Sequence, residues 1–271
     1  MTRFEKILKD IEDVRIQGAT EIAKFGIKAF LLSPDKKSAE KILKTRPTEP
    51  LLQNCIAFLL KSKNIKKDSK NLISYIEKTD KRIAKFGSRL ITNNMNIFSH
   101  CHSSTVISIL KYAKKSRKKH FIVYTTEVEP LLQGRKTAKE LAKFGIKVIV
   151  SPDLAAEQTL TKCDLFLFGA DAFLKKGVVN KIGTSTLCRI AKEHNIPRYS
   201  CGISLKYAKK IKIEQRKPKE LWDQHQKNII IFNPAFDLTK RKFLSGTISE
   251  FGIHPYKQFI KLAKKNLKSF V

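Results

Sequence analysis

Residues 165–186 read LFLFGADAFLKKGVVNKIGTST. The segment opens with the apolar run Leu165–Phe168, which is too short for a helix and is bounded by Gly169, so it predicts a buried strand of a parallel sheet. Asp171 follows at the point where this strand should end, and ligands of open α/β sheets bind at that edge. The alternative is that Asp171 only caps a turn.

Further polar groups follow the next turn of the same segment. Asn180 and Lys181 supply an amide and an ammonium group, and Thr184 and Ser185 are placed to cap the helix that comes next. An acid, an amide, a cation and free helix N–H groups should therefore meet at one strand edge, which favours a ligand site there.

The chain from about residue 94 alternates between strand-like and helix-like segments, which predicts βαβ units and a parallel sheet. The predicted strands are Ile97–Ser99, Phe121–Thr125, Val148–Val150, Leu165–Phe168, Arg198–Ser200 and Ile229–Phe232. The final segment, Tyr256–Phe270, predicts a basic amphipathic helix. No GxGxxG motif follows the first strand, so the dinucleotide-binding fingerprint is missing.

The part of the chain before this alternation predicts a helical domain, because its apolar residues recur at helical spacing. The predicted fold class is α/β, with a helical N-terminal domain over residues 1–92 and a Rossmann-like parallel-sheet domain over residues 93–271. The phrase Ala-Lys-Phe-Gly occurs at 23–26, 84–87 and 142–145. We expect each copy to end a helix, with its glycine in the left-handed conformation.

Composition restricts the function classes. Lys and Arg total 55 against 24 Asp and Glu, a formal net charge of +31 at pH 7. The lysines are spread through every predicted helix, and neither zinc-finger spacing nor an aromatic RNA-binding signature is found, so a nucleic-acid partner is disfavoured. A generally anion-friendly surface is the preferred interpretation.

The cysteines and the apolar runs bear on the compartment. The five cysteines are an odd number without a CxxC pair, which favours reduced thiols in a cytosolic protein. No apolar run reaches the roughly 18 residues of a membrane span, and the N-terminal residues lack the apolar region of a signal peptide. We expect a soluble, cytoplasmic protein.

A second polar cluster follows the first predicted strand. Cys101 would lie at the N-terminus of the helix that begins near Val106, where the helix dipole favours a thiolate. Ser103, Ser104 and Thr105, with their backbone N–H groups, would form a cradle for a phosphate. The alternative is a buried structural cysteine beside ordinary capping hydroxyls.

Other candidate residues carry weaker signals. His100 and His102 flank Cys101, but three neighbouring residues rarely converge on one metal ion, so we expect no metal and assign the histidines to orienting neighbours or facing solvent. Lys206 follows a predicted strand and would reach the same sheet edge. The segment 233–237 is explained by a turn.

Several motifs recur together in one known family. They are HCHSS (100–104), EPLLQGRKTAKELAKFGI (129–146), GADAF (169–173), GVVNKIGT (177–184), NPAFD (233–237) and ISEFGIHP (248–255), with RIQGAT (15–20) and TRPT (45–48) in the helical part. In this order they resemble the family of aldose-1-phosphate isomerases and regulatory subunits of translation initiation factor 2B.

The resemblance implies an enzyme. The isomerases of the family carry a cysteine in the first motif and an aspartate in GAD, and this chain has both, as Cys101 and Asp171. The Cys-His-Ser motif resembles the corresponding motif of the archaeal ribose-1,5-bisphosphate isomerases. This resemblance implies conversion of ribose 1,5-bisphosphate to ribulose 1,5-bisphosphate in AMP salvage. Neither a cofactor nor a metal is implied, and a homo-oligomer (a dimer or a trimer of dimers) is expected.

The resemblance also assigns roles to residues. Asp171 would protonate the ring oxygen and Cys101 would take the C2 proton. The implied substrate-binding residues are Gln17, Gly18, Ala19, Thr20, Arg46, Ser103, Ser104, Thr105, Asn180, Lys181 and Lys206.

Three positions depart from the family pattern. Gln17 replaces the usual Arg of the first loop, Ser104 stands where a basic residue is common, and Glu129 replaces an Arg. These departures keep a second hypothesis open, a non-catalytic initiation-factor-like subunit that binds a nucleotide or sugar phosphate and a protein partner. Geometry separates the two, because the enzyme needs Cys101 and Asp171 in one pocket.

Overall fold

A computed structural model describes residues 1–213, 215–223 and 226–270. The helices are α1 Arg3–Glu12, α2 Ala19–Leu32, α3 Lys36–Thr45, α4 Pro50–Leu60, α5 Ile65–Gly87, α6 Ser104–Ser116, α7 Gln133–Lys143, α8 Ala156–Leu160, α9 Thr184–Glu193 and α10 Tyr256–Phe270. The strands are β1 Met95–His100, β2 Phe121–Thr126, β3 Lys147–Ser151, β4 Leu165–Phe168, β5 Ala172–Leu174, β6 Gly177–Lys181, β7 Arg198–Cys201, β8 Phe236–Lys240, β9 Gly246–Ser249 and β10 Gly252–His254.

The α/β fold class predicted from the sequence is confirmed by a seven-stranded sheet of order β10-β9-β7-β4-β1-β2-β3. All neighbours pair in parallel except β9 and β10. Strand β4 lies between β1 and β7, and all four of its residues are buried, as expected for an apolar run covered on both faces. The carboxyl ends of β1 and β4 are therefore neighbours, which brings Cys101 and Asp171 to the same edge.

The N-terminal helices pack against this sheet. One hydrophobic cluster runs from Ile11 in α1, through Leu52 in α4 and Ile83 in α5, to Ile248 in β9. Because helices and sheet share this core, the helical segment is held rigidly over the sheet edge. The domain boundary near residue 92 stays a prediction.

Two parts of the strand prediction differ from the structure. Ile229–Phe232 forms no strand: Ile230 and Phe232 are 94% and 74% exposed, because an apolar run becomes a strand only where a partner strand accepts its register. A second sheet, β5-β6-β8, is antiparallel and escaped the sequence analysis. Its central strand ends in Asn180 and Lys181, which lack an apolar pattern.

The Ala-Lys-Phe-Gly phrases do not share one structural role. Gly145 follows α7 with φ +74°, as predicted. The prediction is wrong for Gly26, which lies inside α2, and for Gly87, which ends α5 with φ −61°. Close packing explains both, since a Cβ at Gly26 would lie 2.2 Å from Leu52 Cδ1 and one at Gly87 would lie 2.6 Å from Ile109 Cδ1.

Within the described residues, no helix has both the length and the apolar character needed to cross a membrane.

Substitution by asparagine separates two reasons for a glycine in these phrases, close packing at Gly26 and a left-handed backbone at Gly145. We expect Gly26→Asn to lower the free energy of unfolding by about 3 kcal/mol or more, because it buries an amide and overpacks the contact with Leu52. Gly145→Asn should cost less than about 1 kcal/mol, since Asn tolerates the left-handed region and nothing lies within 4 Å of its Cβ. Urea denaturation of both variants measures the difference, and equal losses would contradict it.

Candidate active site

A cavity of about 120 Å³ lies where the sheet edge faces the α1–α2 loop. Both predicted catalytic residues, Cys101 and Asp171, line it. So do the predicted substrate-binding residues Gln17, Gly18, Ala19, Thr20, Arg46, Ser103, Ser104, Asn180, Lys181 and Lys206. The geometric requirement that separated the two functional hypotheses is therefore met.

Thr105 is the exception among the predicted residues. Its side chain is buried, does not line the cavity and lies near the Asp80 carboxyl group of α5. The neighbouring Ser103 caps α6 by accepting a hydrogen bond from the Val106 N–H at 3.4 Å. Consecutive helical residues point in directions about 100° apart, so one helix start cannot aim all three hydroxyls at one ligand.

The absence of a side chain at Gly169 allows the two strand ends to approach each other. A Cβ at this position would lie 2.7 Å from Ser103 Oγ and 2.9 Å from Ser103 Cβ. Distances under about 3 Å are not tolerated between such atoms. Glycine therefore sets the close contact between the segment that carries Asp171 and the segment that carries Cys101.

Cys101 has an unusual backbone. Its φ of +66° is in the left-handed region, which disfavours residues other than Gly, Asn and Asp. The Thr137 hydroxyl of α7 donates to Cys101 O at 3.0 Å, and His102 Nδ1 lies 3.0 Å from the same hydroxyl oxygen. These contacts hold the strained turn, and such strain is frequently found at functional sites.

Cys101 carries a neutral thiol at pH 7. Burial raises its pKa to about 11; the nearby Lys181 ammonium lowers it and the Asp171 carboxylate raises it. The sequence-based expectation of a thiolate at the helix N-terminus is thus wrong for the folded chain, because desolvation of the charged form outweighs the helix dipole.

Asp171 is held against strand β6. Its N–H donates to Val179 O at 2.9 Å. The buried Asn180 amide satisfies its neighbours when its nitrogen donates to Asp171 Oδ2 at 3.1 Å and to Gly169 O at 3.3 Å. Asn180 therefore binds both the carboxylate and the backbone of the turn that carries it.

Within the part of the chain that the structure describes, four cationic side chains line the cavity, and they come from separate segments. Lys206 is buried, and its Nζ donates to Ala170 O at 2.5 Å, next to Asp171. Lys181 is also buried at the end of β6. Arg46 follows α3 and donates from Nη2 to Ile11 O at 3.0 Å.

The fourth cation, Arg216, was missed by the sequence analysis. It lines the cavity and forms a bidentate pair with Glu220, at 2.9 Å from Nε and 2.7 Å from Nη2. No signal distinguishes it in a chain with 55 basic residues. Glu49 and Gln133 also line the cavity and were not predicted individually.

Two helix N-termini differ in how they are capped. Gly18, with φ +82°, precedes α2 without a side-chain cap, so the first N–H groups of α2 lie at the cavity. At α9, Asp237 accepts hydrogen bonds from the Gly183 and Ser185 N–H groups at 2.9 and 3.0 Å. The prediction that Thr184 and Ser185 cap α9 is therefore wrong. Segment 233–237 does more than form a turn, because it contributes the carboxylate that caps α9. Burial raises the pKa of Asp237 to about 6.

The two histidines orient their neighbours, as one of the interpretations expected. His100 Nε2 lies 3.1 Å from Ile182 O, and burial lowers the pKa of both His100 and His102 to about 4, so each ring is neutral at pH 7. Among the described residues, no group of three or more His, Cys, Asp or Glu side chains is arranged to hold a metal ion.

The three departures from the family pattern have separate structural explanations. Gln17 Nε2 donates to Val14 O at 2.7 Å and closes the α1–α2 loop. Ser104 is exposed at the cavity rim. Glu129 does not line the cavity, and its N–H donates to Asp153 Oδ2 at 2.8 Å. The Glu129 departure therefore leaves the lining of the cavity unchanged.

Comparison with known proteins identifies related sequences and structures. A model of the Initiation factor 2 subunit family matches residues 15–256. A ribose 1,5-bisphosphate isomerase of Thermococcus kodakarensis is 33% identical, covering 92% of this chain and 90% of that protein. A putative translation initiation factor eIF-2B subunit 2-like protein of Pyrococcus furiosus is also 33% identical, covering 92% and 95%. The crystal structure of the Pyrococcus horikoshii translation initiation factor eIF-2B has a TM-score of 0.86 at 30% identity, covering 96% and 99%.

The contact at Gly169 can be tested by rescue. Gly169→Ala should lower the free energy of unfolding by about 1–3 kcal/mol, because its methyl group overlaps Ser103. Ser103→Gly alone should cost a few tenths of a kcal/mol as a change of helix cap, roughly the difference between Ser and Gly caps. In the double variant the overlap is gone, so most of the stability should return in urea denaturation. A double variant no more stable than Gly169→Ala would contradict the interpretation.

The charge coupling at Cys101 predicts a pH profile for alkylation by iodoacetamide. Since only the thiolate reacts, the rate should rise about tenfold per pH unit up to the pKa near 11. Asp171→Asn removes a negative charge, so its profile should move to lower pH. Lys181→Met removes a positive charge and should move it to higher pH. Cys101→Ala corrects for the other thiols, and a wild-type rate that levels off below pH 8 would contradict the prediction.

Proposed function

Because this chain belongs to the Initiation factor 2 subunit family, we propose that it is a sugar-phosphate isomerase whose substrate is ribose 1,5-bisphosphate and whose product is ribulose 1,5-bisphosphate. The observation that carries the proposal is the shared cavity of Cys101 and Asp171, with buried cations around them. The named isomerase from Thermococcus kodakarensis supports the choice of substrate.

The chemistry needs one acid and one base. A sugar phosphorylated at C1 cannot open its ring as a free aldose does. Asp171 donates a proton to the ring oxygen as the bond between that oxygen and C1 breaks, and the Cys101 thiolate takes the proton from C2. The C2–H electrons form the C1=C2 double bond of an enol phosphate. Cys101 then returns its proton to C1 and O2 releases its proton to Asp171, which gives the ketose.

The electrostatic contact between the two groups suits this division of work. A thiol beside a carboxylate is one proton transfer away from a thiolate beside a carboxylic acid, the pair that the reaction requires. Protonation of Asp171 removes the negative charge that raises the pKa of Cys101, and Lys181 stabilises the thiolate that results. The charge of Asp171 therefore controls how readily Cys101 ionises.

The surroundings of the pair fit a substrate with two phosphate groups. Two separate helix N-termini, those of α2 and α6, line the cavity, and each presents N–H groups and a positive dipole end. The cavity cations are Arg46, Lys181, Lys206 and Arg216. Such an arrangement binds anions at two ends and leaves the sugar between them, where Asn180 can bind a hydroxyl group.

A second function is favoured by one comparison. The Pyrococcus furiosus relative named as eIF-2B subunit 2-like is as similar to this chain as the isomerase relative. A non-catalytic subunit would use the same cavity to bind a nucleotide or sugar phosphate and would pair with other initiation factor subunits.

The homo-oligomer, its size and the cytoplasmic location stay predictions.

Turnover of ribose 1,5-bisphosphate tests the proposed function. Wild-type protein should form ribulose 1,5-bisphosphate, and deuterium at C2 of the substrate should slow the step in which Cys101 acts. Cys101→Ala and Asp171→Asn should each reduce kcat by at least about 100-fold, since each removes a proton-transfer group. Phosphorus NMR of the reaction measures both sugars.

Matched controls come from residues outside the cavity. Cys163→Ala and Asp164→Asn make the same chemical changes at positions that do not line it, and they should keep wild-type kcat. Absence of turnover on ribose 1,5-bisphosphate and on methylthioribose 1-phosphate, with binding of a sugar phosphate or nucleotide retained, would instead support the regulatory subunit.

A further inference from the structure

A buried carboxylate lies behind the cavity lysine Lys206. Glu250 directly follows β9 and is 7% exposed. It accepts hydrogen bonds from the Ser204 N–H at 3.1 Å to both carboxylate oxygens, and from Ser204 Oγ at 2.5 Å to Oε1. The Tyr75 hydroxyl is a further neighbour of this carboxyl group. Ser204 therefore holds Glu250 through both its backbone N–H and its hydroxyl group.

Ser204 begins a short 3₁₀ turn, Ser204–Lys206, which is held from two further helices. Asn266 of α10 donates to Ser204 Oγ at 2.8 Å and to the Tyr75 hydroxyl at 3.1 Å. Asn54 of α4 donates to Leu205 O at 2.7 Å and to Tyr207 O at 3.1 Å. The short 3₁₀ turn of residues 204–206 thus receives side-chain hydrogen bonds on both sides from residues far away in the sequence.

The turn carries Lys206 at its end. Lysine has a long flexible side chain, and fixing it in one geometry costs conformational entropy. Its Nζ nevertheless reaches Ala170 O at 2.5 Å, beside Asp171, and the residue lines the cavity. The lysine that makes this contact thus extends from a turn whose backbone is fixed at Ser204.

We propose that Glu250 is a positioning residue: through Ser204 it fixes the turn that places the Lys206 ammonium in the substrate cavity. The inference rests on the proposed function, since it assigns Lys206 to holding the substrate. Glu250 itself does not line the cavity, so its effect must pass through the turn. The motif 248–255 then has a role in the site although it contributes no group to the cavity.

A double-mutant cycle separates positioning from general stability. Glu250→Gln and Ser204→Ala should each raise KM for ribose 1,5-bisphosphate about tenfold, with kcat within about threefold of wild type, since a displaced group weakens substrate holding. Lys206→Met should raise KM at least as much. In the Lys206→Met background, Glu250→Gln should have no further effect on KM, because the group that it positions is gone.

Ser108→Ala supplies the matched control. It also removes a serine-to-carboxylate hydrogen bond, from Ser108 Oγ to Asp80 Oδ2 at 2.7 Å, but it lies outside the cavity. It should leave KM unchanged although it lowers the melting temperature. Additive effects of Glu250→Gln and Lys206→Met, or an equal rise of KM in Ser108→Ala, would overturn the inference.

A structural readout keeps this inference distinct from the proposed function. If wild-type protein neither turns over nor binds the sugar, the proposed function fails. The crystal structure of Ser204→Ala then decides the positioning role. Lys206 Nζ should lie beyond hydrogen-bond distance of Ala170 O, and a retained contact would overturn the inference.

Discussion

The close contact between Gly169 and Ser103 is the constraint on which the site depends. Parallel strands β1 and β4 are neighbours, and the loops that follow them would collide if Gly169 carried a side chain, because a Cβ there would overlap Ser103. With glycine there, the acid of one loop and the thiol of the other share a cavity. Several groups line the same cavity within a few residues of these ends, so a small displacement of either loop changes the whole constellation.

Electrostatics in this cavity is governed by burial. His100 and His102 are neutral at pH 7 and Cys101 remains a thiol, because taking a charge out of water costs more than the neighbouring dipoles return. The buried lysines keep the surroundings cationic. An anionic ligand would balance these charges, which supports the proposed phosphate-bearing substrate.

The site is also a product of packing between distant parts of the chain. Arg46 and the start of α2 reach the sheet edge only because the N-terminal helices share a core with the sheet. Asp237, brought by β8, occupies the N-terminus of α9, whereas the start of α2 at the cavity carries no side-chain cap. Side chains from the end of the chain, Glu250 and Asn266, hold the turn of Lys206 in the same way.

The sequence alone was sufficient for features that depend on neighbours along the chain. Apolar runs predicted the parallel strands β1, β2, β3, β4 and β7, and helical periodicity predicted the N-terminal helices. Polar residues after the strands predicted a ligand site at the sheet edge, and the enzyme implied by the family resemblance required Cys101 and Asp171 to share it. Strand periodicity and the common edge of a parallel sheet are local rules, so a single sequence carries them.

Tertiary structure decided what depends on residues far apart in sequence. Position 26 requires glycine because Leu52 packs against it, and the Thr105 side chain lies near Asp80 rather than in the cavity. The thiol of Cys101 stays protonated because the folded chain removes water from it. The exposed Ile229–Phe232 run is no strand because no partner strand pairs with it in the described structure. Burial, close approach and pairing are properties of the packed chain, and no local pattern encodes them.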